Sequence, residues 1–572
     1  MIPLAYIALA DLILVLWLRY RESKSPELPR WLTRGLIGIV LASAIFSFFY
    51  FLLPLSGYEQ AFPIDDSYIT LTAARNFVQH NLLAINPAAP LAGITSPLHA
   101  LAVGLLGKLT GVETAARALG LLALLVLVAG VFVWTRQLGA PWSAGFTAAS
   151  IIAIGGPLTF GALNGLETTA FAAALAWGAV LYEASEGKPR LIYAMGALAG
   201  VAILIRPEGW FFAAALFLAK AVNLIRTRRW SWPLVGAGAV ALLVVLPYLL
   251  ANYLTLDAIF PITVSAKKYF FAEWCRPFMR KMITVMTSVM LLIGPFLLAM
   301  PLLLWSKTWW RRLYPWLFIT IFYLAYIIEF PGALGHYWGR YQHPLLALLI
   351  PGLVLGAYEL GSRLIQSKRS LGVALNGLFT LLLLGGAGLG GELEHGVYRH
   401  ALGTAQGYLT DVYKWIQANS QPGELVASHD IGVLYYFGQR PVLDLVGLSD
   451  PEIARVYAGA RGEDCGRAQR SLALYDLVSR RKPKIVYFAP NWDLWFLGLA
   501  EMDGGRHMHL ALSLPFQVQV SDNAKVKVHE YKFYLCDWET ETRAIKETPE
   551  VDDRVSKELL ESIFQGPAPG KK

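Results

Sequence analysis

Apolar runs long enough to cross a bilayer recur along this chain from Ile2 to Leu389. A hydrocarbon core of about 30 Å takes about 20 apolar residues as a helix. The runs predict a polytopic α-helical membrane protein of about 12 spans. They fall roughly at 1–18, 35–54, 116–134, 143–162, 166–182, 190–206, 208–225, 232–253, 285–305, 313–330, 344–362 and 371–391. Charged residues make up only 16% of the chain, against about 25% in soluble domains. A cytosolic enzyme, a nucleic-acid-binding module and an outer-membrane barrel are excluded, and the lipid bilayer is the first partner. The net charge of +9 therefore reads as cytoplasmic-loop Lys and Arg, with no nucleic acid implied.

Charge also sets the orientation. The stretch Leu98–Leu109 is too short to cross comfortably, and if it does not cross, the basic loops alternate cleanly. Arg19, Arg21 and Lys24, then Arg226, Arg228 and Arg229, then Lys307, Arg311 and Arg312 fall on one side, the cytoplasmic one. The N-terminus is then external, and no cleavable signal is evident because a basic n-region is missing. The first large external loop is 55–115. Loop 254–284 is external yet carries Lys267, Lys268, Arg276, Arg280 and Lys281.

Residues 1–392 thus form a transmembrane domain. Residues 393–548 mix charges, turn signals and β-like runs (ELVAS, KIVYFAP, KVKVHEYKFYL), which predicts a soluble extracytoplasmic α/β or α+β domain. Residues 549–572 read as a disordered tail. Cys275 stands alone in an external loop. Cys465 and Cys536 share the soluble domain, where they form either a disulfide or two buried thiols. No cysteine or histidine spacing suggests zinc. Trp492, Trp495 and Trp538 are either sugar-stacking platforms or core.

The stretch FPIDDSYITLTAARNFVQHNLLAINP, 62–87, carries the most chemistry. It reads as an amphipathic helix with Ile69, Ala73 and Phe77 on one face and Asp65 and Asp66 at its start. One carboxylate could serve as a cap; two adjacent ones are more than a cap requires. A partly desolvated carboxylate has a raised pKa and can take a proton from a hydroxyl. Further on, Thr95 or Ser96 caps a short helix with Pro97 at its first position and His99 in its first turn. Glu167 sits where one span emerges and the next begins. The tight turn IRPEG places Arg206 and Glu208 at the membrane surface, where Arg206 either snorkels to headgroups or binds a phosphate. Loop 331–343 holds His336, Tyr337, Trp338, Arg340, Tyr341 and His343. Arg340, Lys267 and Lys268 break the charge rule, so a bound phosphate would account for them.

The ordered set DDSYITLTAARNF, NP, GITSPLHAL, LNGLETTAF, RPEG, GRYQHP and DLVGLSDPEIAR, over 62–455, resembles the GT-C class of integral-membrane glycosyltransferases. Within that class it is most similar to the bacterial arabinosyltransferase-like group, which depends on polyprenyl-phosphate sugars. It departs from that group's pattern at Thr72 and Ala73, in the Pro-Ala-Ala-Pro turn, and in an extra N-terminal span. The resemblance implies inverting transfer of a sugar from a polyprenyl-phosphate donor to a hydroxyl of an extracytoplasmic glycan or glycolipid, at the bacterial inner membrane. Carried onto this chain, Asp65 is the base and Asp66 a supporting carboxylate. Arg206 and Arg340 hold the donor phosphate, with Lys267 or Lys268 as a third cation. Glu167 binds a sugar hydroxyl, and His99, His336 and Tyr341 complete the substrate-binding candidates. The leaving group is already good, so positioning and charge stabilisation suffice and no cofactor is required; the Asp pair could hold a divalent metal, a less favoured reading.

Two other classes stay open: a transporter or flippase for lipid-linked sugars, and a membrane scaffold without catalysis. A transporter wants charges near the midplane and broken helices in paired halves, whereas these spans are almost uncharged apart from Asp11. Within enzymes, transfer to protein hydroxyls or to lipid A is the runner-up.

Overall fold

A computed structural model describes residues 3–25, 27–53, 61–228, 230–367, 369–460, 466–490, 492–517 and 528–539. The chain divides into two compact units. One is Met1–Val264 with Glu273–Thr410; the other is Ser265–Ala272 with Asp411–Lys572.

Among the described residues, the regular structure of the first unit is all helix, and each apolar stretch expected to span lies mainly on helix. Among the same described residues, eight helices are long and apolar enough to cross a membrane by length and composition, or ten if each of two bent pairs is one span. The helices Thr168–Ala184 and Pro189–Ile205 are shorter, at 17 residues each. The bends have local causes. Trp142–Ile154 and Pro157–Leu163 meet at 51°, where Gly156 takes φ +92° and Pro157 has no amide to donate. Leu313–Glu329 and Pro331–Gly339 meet at 108°, again at a proline.

Between the second and third of these spans lie two helices of another kind. Asp65–His80 is amphipathic, but its buried face is centred on Tyr68, Leu71 and Thr72. Ala73 is buried as expected, whereas Ile69 and Phe77 are only half-buried. Pro97–Thr110 has 14 residues and reaches only about 21 Å at 1.5 Å per residue, short of a bilayer core. Gly104 lets it sit against Phe77 of the amphipathic helix, since a Cβ there would lie 2.8 Å from the ring.

The awkward cations of 254–284 are partly answered within the unit. Arg276 pairs with Glu273 at 2.7 Å, and Lys281 donates to the carbonyls of Trp274 and Ile328 at 2.7 and 2.9 Å.

The helix Arg369–Ala418 runs unbroken through residue 393 and into the second unit. That unit holds a five-stranded sheet: β1 Val426–Ser428, β2 Val442–Asp444, β3 Ile485–Phe488, β4 Met508–Gln517 and β5 Val528–Cys536, in the order β2-β1-β3-β5-β4. β2, β1 and β3 are parallel, with Ala427 opposite both Leu443 and Val486. β5 and β4 add an antiparallel hairpin. All three β-like runs read from the sequence contain strands of this sheet. The segment DLVGLSDPEIAR is a turn organised by one buried carboxylate: Asp444 accepts from the amides of Val446, Gly447 and Ser449. Asp450 then caps the helix Pro451–Gly459. Trp538 donates to the carbonyl of Pro483 and stacks on His507, a structural placement.

Of the two cysteine alternatives for the soluble domain, Cys536 follows the buried-thiol one, whereas Cys275 departs from expectation. Cys536 is a buried free thiol, pushed up to about 12 by burial, so it forms no bridge with Cys465. Cys275, expected to stand alone, is disulfide-bonded. Cys465, the side chain of Trp495 and the tail 549–572 lie outside the described residues.

Candidate active site

The candidate residues of the first unit gather where helices end. Asp65 and Asp66 open the helix Asp65–His80, yet neither is its cap: Ile64 occupies that position, and no side chain makes the cap bond. Around them the chain is fixed by buried bonds. The Tyr68 hydroxyl accepts from the Phe62 amide at 2.9 Å, Ser67 donates to the Asn164 carbonyl, and Arg117 donates to the Ala61 carbonyl at 3.1 Å.

Asp66 accepts a hydrogen bond from Nη2 of Arg340. Arg340 is 6% exposed, and its Nε and Nη1 are buried without a hydrogen-bond partner. Burial opposes its charge, but Asp66 outweighs that and holds the guanidinium above its usual range. The backbone leading to it is unusual. Tyr337, Trp338 and Gly339 take φ of 45°, 57° and 87° in succession. Bulky residues in the left-handed region cost of order 1–3 kcal/mol each and collect at functional sites. His336 is exposed and packs on Tyr337 at 4.1 Å.

A second network forms at the IRPEG turn. Arg206 donates from Nε and Nη2 to Glu208 at 3.1 and 2.8 Å, and from Nη1 to Glu167 at 3.1 Å. The Tyr326 hydroxyl donates to Glu208 at 2.7 Å. All three charged groups are buried, and together they carry one net negative charge. Burial alone would raise the Glu208 carboxyl, but Arg206 and Tyr326 bring it below its usual value. Glu167, at the start of Thr168–Ala184, makes no cap bond either. His99 sits nearby with Nε2 3.2 Å from the Gly165 carbonyl; burial lowers its pKa, against the pull of Glu167.

The two networks share one ring. The guanidinium carbons of Arg206 and Arg340 each lie 5.0 Å from the centre of Tyr341. The structure therefore brings together Asp66, Arg340, Tyr341, Arg206, Glu167 and His99, with Asp65 beside Asp66. Lys267 and Lys268 lie on Ile262–Phe271, in the stretch that belongs to the second unit. Among the described residues no group of three or more His, Cys, Asp or Glu could hold a metal ion. Tyr326 and the pairing role of Glu208 were not foreseen. Glu208 had a signal, two residues from Arg206 in a turn; Tyr326 had none, being a tyrosine in an apolar helix.

Comparisons with known proteins bear on the fold. A family described as Domain of unknown function (DUF8728) matches residues 397–534. No curated protein sequence matches the chain. Among solved structures, ArnT from Cupriavidus metallidurans in the apo state is similar, with a TM-score of 0.51 and 15% identity, over 87% of this chain and 98% of that one. The oligosaccharyltransferase AglB from Archaeoglobus fulgidus, in complex with an inhibitory peptide and a dolichol-phosphate, is similar with a TM-score of 0.50 and 12% identity. That match covers 87% of this chain and 74% of that one. The chain has the fold of the GT-C membrane glycosyltransferases.

Proposed function

We propose that this protein is an inverting glycosyltransferase that moves a sugar from a polyprenyl-phosphate donor to a hydroxyl of an extracytoplasmic glycan or glycolipid acceptor. The observation that carries this reading is Arg340: a buried guanidinium, tied to Asp66 by one nitrogen, with two donors left unbonded beside a pair of carboxylates. Buried donors without partners are costly, and a planar pair of N–H groups suits phosphate oxygens. The GT-C fold, and a similar structure whose description includes a dolichol-phosphate, support a lipid-borne donor.

In this mechanism Asp65 takes the proton from the acceptor hydroxyl as its oxygen attacks the anomeric carbon. The bond from that carbon to the phosphate oxygen breaks, and the electron pair leaves with the lipid phosphate, whose charge Arg340 stabilises. Asp66 orients Arg340. Arg206 gives all three nitrogens to carboxylates, so its part is to hold Glu167 toward the sugar and to flank Tyr341. His99 supports the loop carrying Glu167 through the Gly165 carbonyl. His336 lies on the exposed approach. Lys267 and Lys268 are assigned no step. The chemistry asks for no metal, and turnover in chelator should match turnover without it.

The test is Asp65→Asn in protein reconstituted with a synthetic short-chain polyprenyl-phosphate sugar. Transfer should fall by about 100-fold or more, the scale of a lost general base, while donor binding persists. Unchanged turnover would remove Asp65 from the mechanism. A variant that moves the intact lipid-linked sugar across vesicles without cleaving it would favour the flippase reading.

A further inference from the structure

The second unit has the strand order that seats ligands in other open sheets. In the order β2-β1-β3, the chain leaves β1 toward β2 on one side, and leaves β3 toward the β5-β4 hairpin on the other. Adjacent parallel strands whose connections part in this way leave a gap at their carboxyl ends, where ligands seat. Here that gap lies beyond Ser428 of β1 and Phe488 of β3, and the residues that follow are His429 and Asp430 on one side and Trp492 on the other.

His429 is 5% exposed, and both of its ring nitrogens are buried without a hydrogen-bond partner. Its Nε2 lies 3.5 Å from Oδ2 of Asp430, an electrostatic neighbour without hydrogen-bond geometry. The imidazole is held firmly in place by a ladder of near-parallel rings. It stacks on Trp492 at 4.0 Å and 21°, and faces Tyr487 at 6.2 Å and 15°. Tyr487 continues to Tyr531 at 6.4 Å, and Trp492 to Phe270 at 5.9 Å. Phe270 belongs to the segment 265–272, pinned here by Arg470 donating to its carbonyl at 2.9 Å. Native proteins rarely bury a polar ring with both nitrogens idle, and fixing its orientation in advance lowers the entropic cost of a later bond.

The chemistry of the crevice selects its occupant. A neutral imidazole presents one donor and one acceptor, which match a hydroxyl pair. Asp430, with 24% of its side chain exposed, stands at the mouth as a further acceptor for hydroxyl protons. The same carboxylate disfavours a phosphate or other anion. Among the described residues no metal-binding group of three exists.

We propose that the crevice at the carboxyl ends of β1 and β3 is a binding subsite for a neutral saccharide, with His429 and Asp430 taking its hydroxyl groups. The proposal deepens the transfer reading by giving an acceptor glycan a second point of attachment, and its test involves no transfer.

The experiment presents the full-length protein, solubilised in detergent, to an array of neutral oligosaccharides and then measures affinity in solution. The wild type should bind a neutral saccharide class, and His429→Phe, which keeps a ring in the stack but removes both nitrogens, should weaken binding at least tenfold. Asp430→Asn should weaken it as well, and decides the matter if His429→Phe fails to fold. Absence of any neutral saccharide binding, or wild-type affinity in His429→Phe or in Asp430→Asn, overturns the proposal. Loss of transfer in Asp65→Asn alongside an empty array would leave the enzyme reading standing and remove only this subsite.

Discussion

Arg340 and Asp66 lie 274 positions apart and meet through a charge-assisted hydrogen bond from Nη2, while Nε and Nη1 of the same guanidinium stay buried and unbonded. One face of the arginine is thus anchored and the other is held ready. Arg340→Lys keeps the charge but offers no rigid fork, so it cannot serve Asp66 and a phosphate together. It should lower kcat/KM for transfer by about 10²–10³, comparable to removing one preorganised charge-stabilising donor. Initial rates with a polyprenyl-phosphate sugar check this; a change below twofold would show that the fork plays no part.

The Arg206 network should be primarily a matter of stability. Glu208→Ala leaves a buried guanidinium with one carboxylate and strands the Tyr326 hydroxyl. Breaking a buried pair in this way costs about 3–5 kcal/mol. Tyr326→Phe removes only one bond to a charged group, about 1.5–3 kcal/mol. Melting curves in detergent should rank the two variants in that order, and equal midpoints would contradict the geometry.

Gly209 follows Glu208 in the same turn and allows the helix Gly209–Arg226 to fold back on Pro189–Ile205. A Cβ there would lie 2.4 Å from the Ala202 carbonyl carbon and from the Ile203 nitrogen. Both are backbone atoms, which cannot swing aside. Gly209→Ala should destabilise by about 1–3 kcal/mol, the usual cost of overpacking, and should reduce transfer because Arg206 shifts with the turn. A variant as stable and active as the wild type would show that the hairpin has slack.

Burial holds the His429 imidazole at about 4, against the opposing pull of Asp430, whereas an unfolded histidine titrates near 6.5. Between those values the unfolded chain takes up a proton that the folded one refuses. Stability from this group is therefore present above about pH 6.5 and is lost as pH falls toward 4. The rings facing it, Trp492, Tyr487 and Tyr531, do not titrate in that window. Asp444 and Asp493, each pushed up to about 6 by burial, act in the opposite sense but cancel in a comparison of variants. The wild type should lose about 3 kcal/mol relative to His429→Phe across the window. Parallel stability curves for the two proteins would refute the assignment.

Helical spans were legible because apolar length is a property of consecutive residues. The bends were not: Gly156 and Pro331 were visible, but how far a chain turns at a break depends on what packs against it. Asp65, Asp66, Glu167, Arg206 and Arg340 were legible as ionisable groups beside apolar runs. Their pairing was not, since Arg340 meets Asp66 only through the tertiary fold. The sequence assigns phosphate binding to Arg206 and Arg340 alike; in the fold each Arg206 nitrogen donates to a carboxylate, whereas Nε and Nη1 of Arg340 have no hydrogen-bond partner. His429 gave no warning at all, because a lone histidine after a short strand has no spacing to read; its idle nitrogens and its ring stack appear only once β1 and β3 lie side by side. The choice between a disulfide and free thiols at Cys536 stayed open in the sequence for a similar reason, since shared domain membership says nothing of distance.

Residues 265–272 belong to the C-terminal unit although Val264 and Glu273, on either side of them, belong to the helical one. The polypeptide therefore passes between the units three times, so a cut at residue 411 would not release a clean module. In biosynthesis, this short stretch leaves the ribosome long before Tyr457, Trp492 and Phe496, whose rings pack on Phe270. The protein cannot reach its finished state in strict order from front to back: an early helical stretch must wait for a much later part of the chain to arrive.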